Sequence, residues 1–513
     1  MPQQESRVKK SLLNARVNLI FYFLTLILSF FSRKIFLDTL GADFVGLTGT
    51  LQNLLGFLNL AELGIGSAIG YVLYKPLFEH DEGKINEIIS VFGYLYRWIG
   101  FIILGAGIVL ACFLPLIFPN TEFEMGVIFF AYFSFLASSL IGYFANYKQT
   151  LLGADQKNYV VTAYFQTATI VKTLIQMASA YYTGSYYLWV AIELTFGIIY
   201  SFILNWKINQ VYPWLRSEVR QGKQLFKKYP EVMKYTKQLF VHQIGTFAQY
   251  QLTPFLVYAF TSLTIVACYG NYTLIIDKLT IFIRNFLGST RAGVGNLVAE
   301  GNKEKIKTVF YELLVCRIFV AGIVCVIPFF LMDSFISLWI GKDYILDKII
   351  LILMLLNTLV VYLGDATEQF IYGYGLFWDI WSPIVRIILL ILVAVVGGFY
   401  WGLPGVLLGS ILSQTMITCI WKTYLLFHWG FKEHIGFYVF TVFKCLTIIL
   451  LPAFVYQYVD ISHIIVLNSL FNWFVFAIVV SVIYIVSTYL LFFIFTSSMK
   501  SLTNRVLKGI CKN

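Results

Sequence analysis

The sequence predicts an all-α, polytopic membrane protein of about fourteen transmembrane helices. Three observations lead there. Of its 513 residues, 59% are hydrophobic and only 12% are charged, whereas soluble domains carry roughly 25% charged residues. The apolar residues come in runs of about 20 or more, the length that crosses a bilayer as a helix. These runs are continuous rather than alternating, and lipid offers backbone groups no water to bond, so they read as helices and not as barrel strands.

Along the chain the spans are expected at 17–37, 44–73, 88–113, 123–147, 158–182, 186–208 and 235–260. They continue at 265–296, 306–332, 349–373, 378–399, 402–427, 436–458 and 465–496. The first follows a basic N-terminus and lacks an A-x-A-like end, so it reads as a retained span and not as a cleaved signal. The last is longer than a bilayer needs.

Loop charge orients the spans. With a cytoplasmic N-terminus, cytoplasmic segments hold roughly 25 Lys/Arg, and the opposite loops hold roughly four, namely Arg33, Lys34, Lys342 and Lys348. Both termini are therefore expected in the cytoplasm. The formal net charge of +11 is mostly this topology signal. Its spread over many short loops argues against nucleic-acid binding. The seven cysteines are scattered without a C-x-x-C pair and read as small apolar fillers.

The richest basic segment is "PWLRSEVRQGKQLFKKYPEVMKYTK" at 213–237. It mixes Arg216, Arg220, Lys223, Lys227 and Lys228 with Trp214, Leu215, Leu225 and Phe226. Two readings fit it equally: an amphipathic helix on anionic headgroups, or an ordinary connecting loop rich in positive charge. Either way it divides the chain into halves.

Those halves repeat weakly. Gly46, Leu55, Leu63, Gly64 and Ala68 match Gly270, Leu279, Leu287, Gly288 and Ala292 at a constant offset of 224. "GKI" at 83–85 then faces "EKI" at 304–306, and "QTLLG" at 149–153 faces "QFIYG" at 369–373. Six spans separate the matches, so both units share one orientation, a parallel repeat typical of transporters. The expected organisation is an N-terminal six-helix lobe (1–212), a cytoplasmic amphipathic linker (213–234), a C-terminal six-helix lobe (235–430), and two further spans with a cytoplasmic tail (431–513).

The chemistry lies in the charges inside the spans. "RNFLGSTRAGVGN" at 284–296 places Asp277, Ile281, Arg284, Gly288, Arg291 and Gly295 on one helical face. A charge facing lipid at mid-membrane costs at least about 2.5–3.5 kcal/mol, so this stripe should face protein or water. The matching first-half span carries Gln52, Gly56, Asn59, Gly66 and Gly70. Small-residue faces also allow close helix packing, but packing does not require a guanidinium. A lumen that binds an anion does. The candidate cavity cations are Arg33, Lys34, Lys278, Arg284 and Arg291. Gln52, Asn59, Glu62, Asp277, Asp365 and Glu368 are the polar or ion-coupling candidates, and Gly66, Gly70, Gly288 and Gly295 the flexible positions. Asp365, Glu368, Gln369 and Tyr372 share a face that either pairs with Arg386 or carries a coupling cation. Arg97, Lys172, Arg317 and Lys444 read as interface or ion-pair residues, and His242 as a structural hydrogen-bonder. No Walker motif or dinucleotide fingerprint is present, and no catalytic residue, metal or cofactor is expected.

"FLDTLGADFVGLTGTLQNLLGFLNLAELGIGSAIG" (36–70), "GLPGVLLGSILS" (402–413) and the two Q-x-x-x-G pairs resemble the polysaccharide repeat-unit flippases of bacteria. These belong to the multidrug/oligosaccharidyl-lipid/polysaccharide exporter superfamily, and the resemblance covers residues 15–430. It implies a V-shaped pair of six-helix lobes in the bacterial inner membrane. It also implies transfer of an undecaprenyl-diphosphate-linked oligosaccharide to the outer leaflet for O-antigen or capsule synthesis. Arg33, which precedes "LGAD", matches the family's first-helix arginine, and Arg284 its eighth-helix cation. Fourteen-span members, lipid II flippases among them, add a helix pair like 436–496, but the second span here has Glu62 and no arginine. Implied partners are the lipid-linked oligosaccharide, membrane lipids and the polymerase machinery, with no nucleic acid; a monomer is compatible with the sequence. The clamp reading expects Arg33 and Arg284 in one cleft between the lobes.

Three rivals remain at this level. A cation-coupled multidrug exporter of the same superfamily would use Glu62, Asp365 or Glu368. A membrane glycan polymerase or ligase would need substantial external loops, and those here are mostly under about 15 residues. A passive scaffold would have a solid interior.

Overall fold

The computed structural model describes residues 7–62, 65–119, 121–155, 157–287, 294, 297, 298, 300–376, 378–458 and 469–510. Every regular element among them is helical. The chain divides into two compact units, Met1–Phe255 and Leu256–Asn513.

The first unit contains α1 (Arg7–Leu40), α2 (Ala42–Leu58), α3 (Ile65–Glu79), α4 (Glu82–Ile117) and α5 (Met125–Ala145). It continues with α6 (Gln149–Ala154), α7 (Tyr159–Thr183), α8 (Tyr186–Val211), α9 (Gly222–Phe226) and most of α10 (Pro230–Phe260). α4 starts at Asp81, whose side chain accepts from the Lys84 amide at 2.9 Å, the usual N-cap arrangement. α7 ends at Gly184, which takes the left-handed conformation at φ 59°. α1 packs on α7, α4 on α5, and α5 and α7 both on α8. Leu47, Leu51, Phe92, Ile128 and Tyr132 are buried between them.

The basic segment 213–229 is a strap on the end of α4. Asn86 accepts from the Arg216 amide at 2.7 Å, and Ser90 accepts from the Glu218 amide at 2.9 Å. Glu87 accepts from Lys228 at 2.7 Å and from Tyr229 at 2.5 Å. Leu215 and Val219 turn inward, while Arg216, Arg220, Lys223 and Lys227 stay exposed. The segment holds one 3-10 turn and the five-residue α9, not one continuous amphipathic helix. Burial and the neighbouring Glu87 carboxylate push the Tyr229 phenol up, so it serves as a neutral donor.

The second unit is built around α12 (Lys303–Trp339). Around it stand α11 (Leu263–Leu287), α13 (Lys348–Tyr374), α14 (Trp381–Trp401), α15 (Leu403–Phe431), α16 (Gly436–Tyr458), α17 (Leu470–Phe495) and α18 (Ser497–Ile510). α12 touches α11, α13, α16, α17 and α18, so the two helices beyond the second six pack on it directly. Phe310, Leu314, Ile318, Phe370, Leu425, Cys445 and Phe492 form its buried core. α14 and α15 meet along glycines: a Cβ on Gly397 would fall 2.7 Å from the Gly405 carbonyl oxygen. The "GLPGVLLGS" stretch therefore supplies a contact of backbone on backbone. α15 widens into π-helical turns at Thr415–Trp421 and Leu426–Phe431.

Eleven described helices are long and apolar enough to cross a membrane. Of the expected spans, α2 with α3, α7, and α10 fall outside that set, each for a physical reason. The second span is broken: α2 stops at Leu58, a 3-10 turn covers Asn59–Glu62, and α3 begins at Ile65. The small-residue stripe expected there does not run along one helix, since Gln52 and Gly56 lie on α2 while Gly66 and Gly70 lie on α3. α7 dilutes its apolar run with Gln166, Lys172 and Gln176, and α10 carries His242, Gln243, Gln249 and Gln251 along its length. Large side chains such as Phe202 and Phe399 project outward with 77% of their surface exposed, as lipid-facing positions do.

Candidate functional site

Among the described residues, polar side chains inside the helices gather at several separate centres in both units. The first centre is the break between α2 and α3. The turn Asn59–Glu62 carries Glu62 between α4 and α5. One carboxylate oxygen accepts from Tyr96 on α4, and the other accepts from Tyr143 on α5 at 2.7 Å. The Tyr143 hydroxyl is also 3.0 Å from Asn59 Oδ1, so one phenolic proton serves two acceptors in turn. Both tyrosines are buried, with ring centroids 5.4 Å apart. Among the described residues Glu62 has hydrogen-bond donors but no ion-pair partner.

This arrangement gives a stability test. Tyr143→Phe deletes a donor to a carboxylate and should cost about 1–3 kcal/mol. Tyr132→Phe deletes only a neutral bond to the Gly107 carbonyl, 2.7 Å long, and should cost about 0.5–1.5 kcal/mol. Thermal unfolding of the detergent-solubilised protein ranks the two, and the reverse order would refute the assignment.

The second centre joins α7 to α8. Lys172 Nζ donates to Glu193 Oε1 at 2.7 Å, and Gln176 Nε2 donates to Glu193 Oε2 at 2.9 Å. Sequence reasoning set Lys172 down as an ion-pair residue but did not single out Glu193. Its signal was available: one carboxylate in an otherwise apolar span implies a cation on a neighbouring helix.

In the second unit, Arg317 on α12 donates to Asp365 on α13 at 2.9 Å, and its side chain is only 5% exposed. Glu368 lies 3.5 Å from Lys422 on α15. The acidic face of α13 thus meets Arg317 and Lys422, where the sequence offered Arg386 or a coupling cation. Arg386 is buried on α14. The face itself runs from buried Gln369 to Tyr372, which is half exposed. Asn357 on α13 accepts from Ser410 at 3.1 Å and from Gln414 at 2.9 Å, a further polar tie to α15.

The remaining sequence-selected residues fall as follows. Arg33 is half-buried near the end of α1. Lys34 is exposed and pairs along the same helix with Asp38 at 3.4 Å. Gln52 is exposed on α2, and Asn59 is half-buried at the break. Asp277 is exposed and Lys278 half-buried on α11. The side chain of Arg284, and Gly288, Arg291 and Gly295 entirely, lie outside the described residues.

No family model matches the chain, and no curated protein does. Solved structures do. The lipid II flippase MurJ, in an inward closed conformation, aligns with a TM-score of 0.64 at 16% identity, covering 92% of this chain and 98% of its own. An inward-facing multidrug resistance MATE family transporter of the MOP superfamily aligns with a TM-score of 0.61 at 14% identity, covering 80% and 98%. An outward-facing one aligns at 0.53 and 14%, covering 81% and 96%. The chain therefore has the fold of these membrane transporters and flippases. At such identities the likeness concerns the fold alone.

Proposed function

We propose that this protein is a flippase, not an enzyme. Its cargo is an undecaprenyl-diphosphate-linked oligosaccharide, moved from the inner to the outer leaflet of the bacterial cytoplasmic membrane for O-antigen or capsule synthesis. The observation that carries this reading is the balance of intramembrane charge. Asp365 and Glu368, which a cationic drug would need, are engaged by Arg317 and Lys422. The sequence also supplies cations at Arg33, Lys278, Arg284 and Arg291, whose chemistry suits an anionic headgroup.

The physics of the cargo fits that balance. A diphosphate brought into low dielectric must be paired, and guanidinium groups pair phosphate through two hydrogen bonds at once. Arg33 and Arg284 act as the headgroup clamps, one per lobe. The sugar crosses in water-filled space while the polyprenyl tail stays in lipid. The glycines at 66, 70, 288 and 295 absorb the backbone changes of rocking.

The second reading is a cation-coupled multidrug exporter, and Glu62 favours it, since among the described residues its carboxylate is held by phenolic donors. Within the flippase reading the same residue couples the cycle to an ion. Arg33→Ala and Arg284→Ala should each slow the appearance of the glycan on the far side of reconstituted vesicles by about tenfold or more. Lysine at the same positions should restore part of the rate. Undiminished flipping in both alanine variants at equal protein levels would remove the clamp.

A further inference from the structure

Four of the eleven tryptophans meet at one end of the second unit, where α13 turns into α14 and α15 ends. Trp381 meets Trp421 in a tilted arrangement with centroids 4.7 Å apart, and Trp378 meets Trp429 edge-on at 5.1 Å. Tyr424 and His428 complete the cluster, at 5.8 and 4.5 Å from Trp429. Trp378, Trp381, Tyr424 and Trp429 are each 39–49% exposed. Trp421 and Trp429 lie in the two π-helical turns of α15, a rare conformation that often marks functional positions.

A carboxylate sits against this cluster. Asp379 is 7% exposed, and its Oδ2 accepts from Trp421 Nε1 at 3.0 Å and from Ser382 Oγ at 2.6 Å. Its Oδ1 makes no hydrogen bond among the described residues. A buried carboxylate oxygen needs a donor. An aromatic cluster at a membrane interface is ordinary as an anchor, but an anchor needs no buried acidic residue with an unpaired oxygen beside it.

We propose that this cluster is a docking platform for the saccharide of the cargo, a reading that rests on the flippase function above. Pyranose rings present C–H faces that lie flat on indoles, and their hydroxyls donate to carboxylates. The Asp379 Oδ1 acceptor and the exposed rings supply both halves of that recognition. An alkylammonium group would also suit rings beside a carboxylate; the flippase function on which this reading rests favours the saccharide, and the test below separates the two. On the topology that loop charges predict, the platform faces the cytoplasmic side, where the lipid-linked sugar is presented.

The test uses the full-length protein in detergent and short-chain probes. Citronellyl diphosphate is compared with the same compound bearing N-acetylglucosamine, galactose or rhamnose, with binding followed by calorimetry and tryptophan fluorescence. At least one sugar-bearing probe should bind about tenfold more tightly than the bare diphosphate. Asp379→Asn and Trp429→Ala should abolish that gain. Trp401→Ala, at the other end of α14, should leave it intact. Equal binding with and without every sugar would overturn the platform, mark an interfacial anchor, and leave the diphosphate reading standing. No binding of either probe class, with binding of a small organic cation, would overturn both.

Discussion

Replacing Asp365 with leucine should destabilise the protein by about 3–5 kcal/mol, the range for breaking a buried ion pair from one side. The Arg317 guanidinium is 5% exposed and 2.9 Å from the carboxylate. Without that carboxylate its charge stays in a low-dielectric interior at full desolvation cost. The double variant Arg317→Leu/Asp365→Leu should recover most of the loss, because removing both partners removes the buried charge. Thermal unfolding of the detergent-solubilised protein measures both. A double variant as unstable as the single one would mean that lost packing, and not the stranded charge, sets the effect. A comparable change at Lys34–Asp38, about half exposed at both ends, should be small.

A methyl group at the α14–α15 contact should be as damaging. Gly397→Ala places a Cβ 2.7 Å from the Gly405 carbonyl oxygen, and Gly409→Ala places one 2.6 Å from Ala394 Cβ. Backbone lies on the opposite side in both cases, so neither clash is relieved by rotating a side chain. The helices must separate, at a cost of about 3 kcal/mol or more. Gly105→Ala is the control, because nothing lies within 4 Å of its added Cβ. It should be neutral or mildly stabilising, as alanine is the better helix former by about 1 kcal/mol. Equal loss at all three positions would contradict a specific contact.

These cases mark what was legible in the chain. Helices were legible because apolar runs and loop charge are local properties, and α4, α5, α8 and α12 to α17 fall where the runs lie. The close α14–α15 contact was not legible, because "GLPGVLLGS" does not say which backbone its glycines meet. The break at Asn59–Glu62 was not legible. Its turn interrupts an apolar run without a proline, and its side chains are held by Tyr143 and Tyr96, distant in sequence. The Arg317–Asp365 contact was not legible, because helix rotation about the long axis decides which charges meet, and hydropathy does not encode that rotation. The strap at 213–229 was read correctly as basic and mixed with apolar residues, but its anchoring polar atoms on α4 are single side chains, Asn86, Glu87 and Ser90. The stretch 284–296, which carries the clamp reading, lies largely outside the described residues.

The most direct measurement is flipping itself. Purified protein is reconstituted into vesicles with an undecaprenyl-diphosphate oligosaccharide, and glycan exposure to an external lectin is followed in time. The account predicts faster exposure than in protein-free vesicles. No acceleration with any of several glycans, together with proton- or sodium-driven efflux of a small cation by the same vesicles, would contradict it.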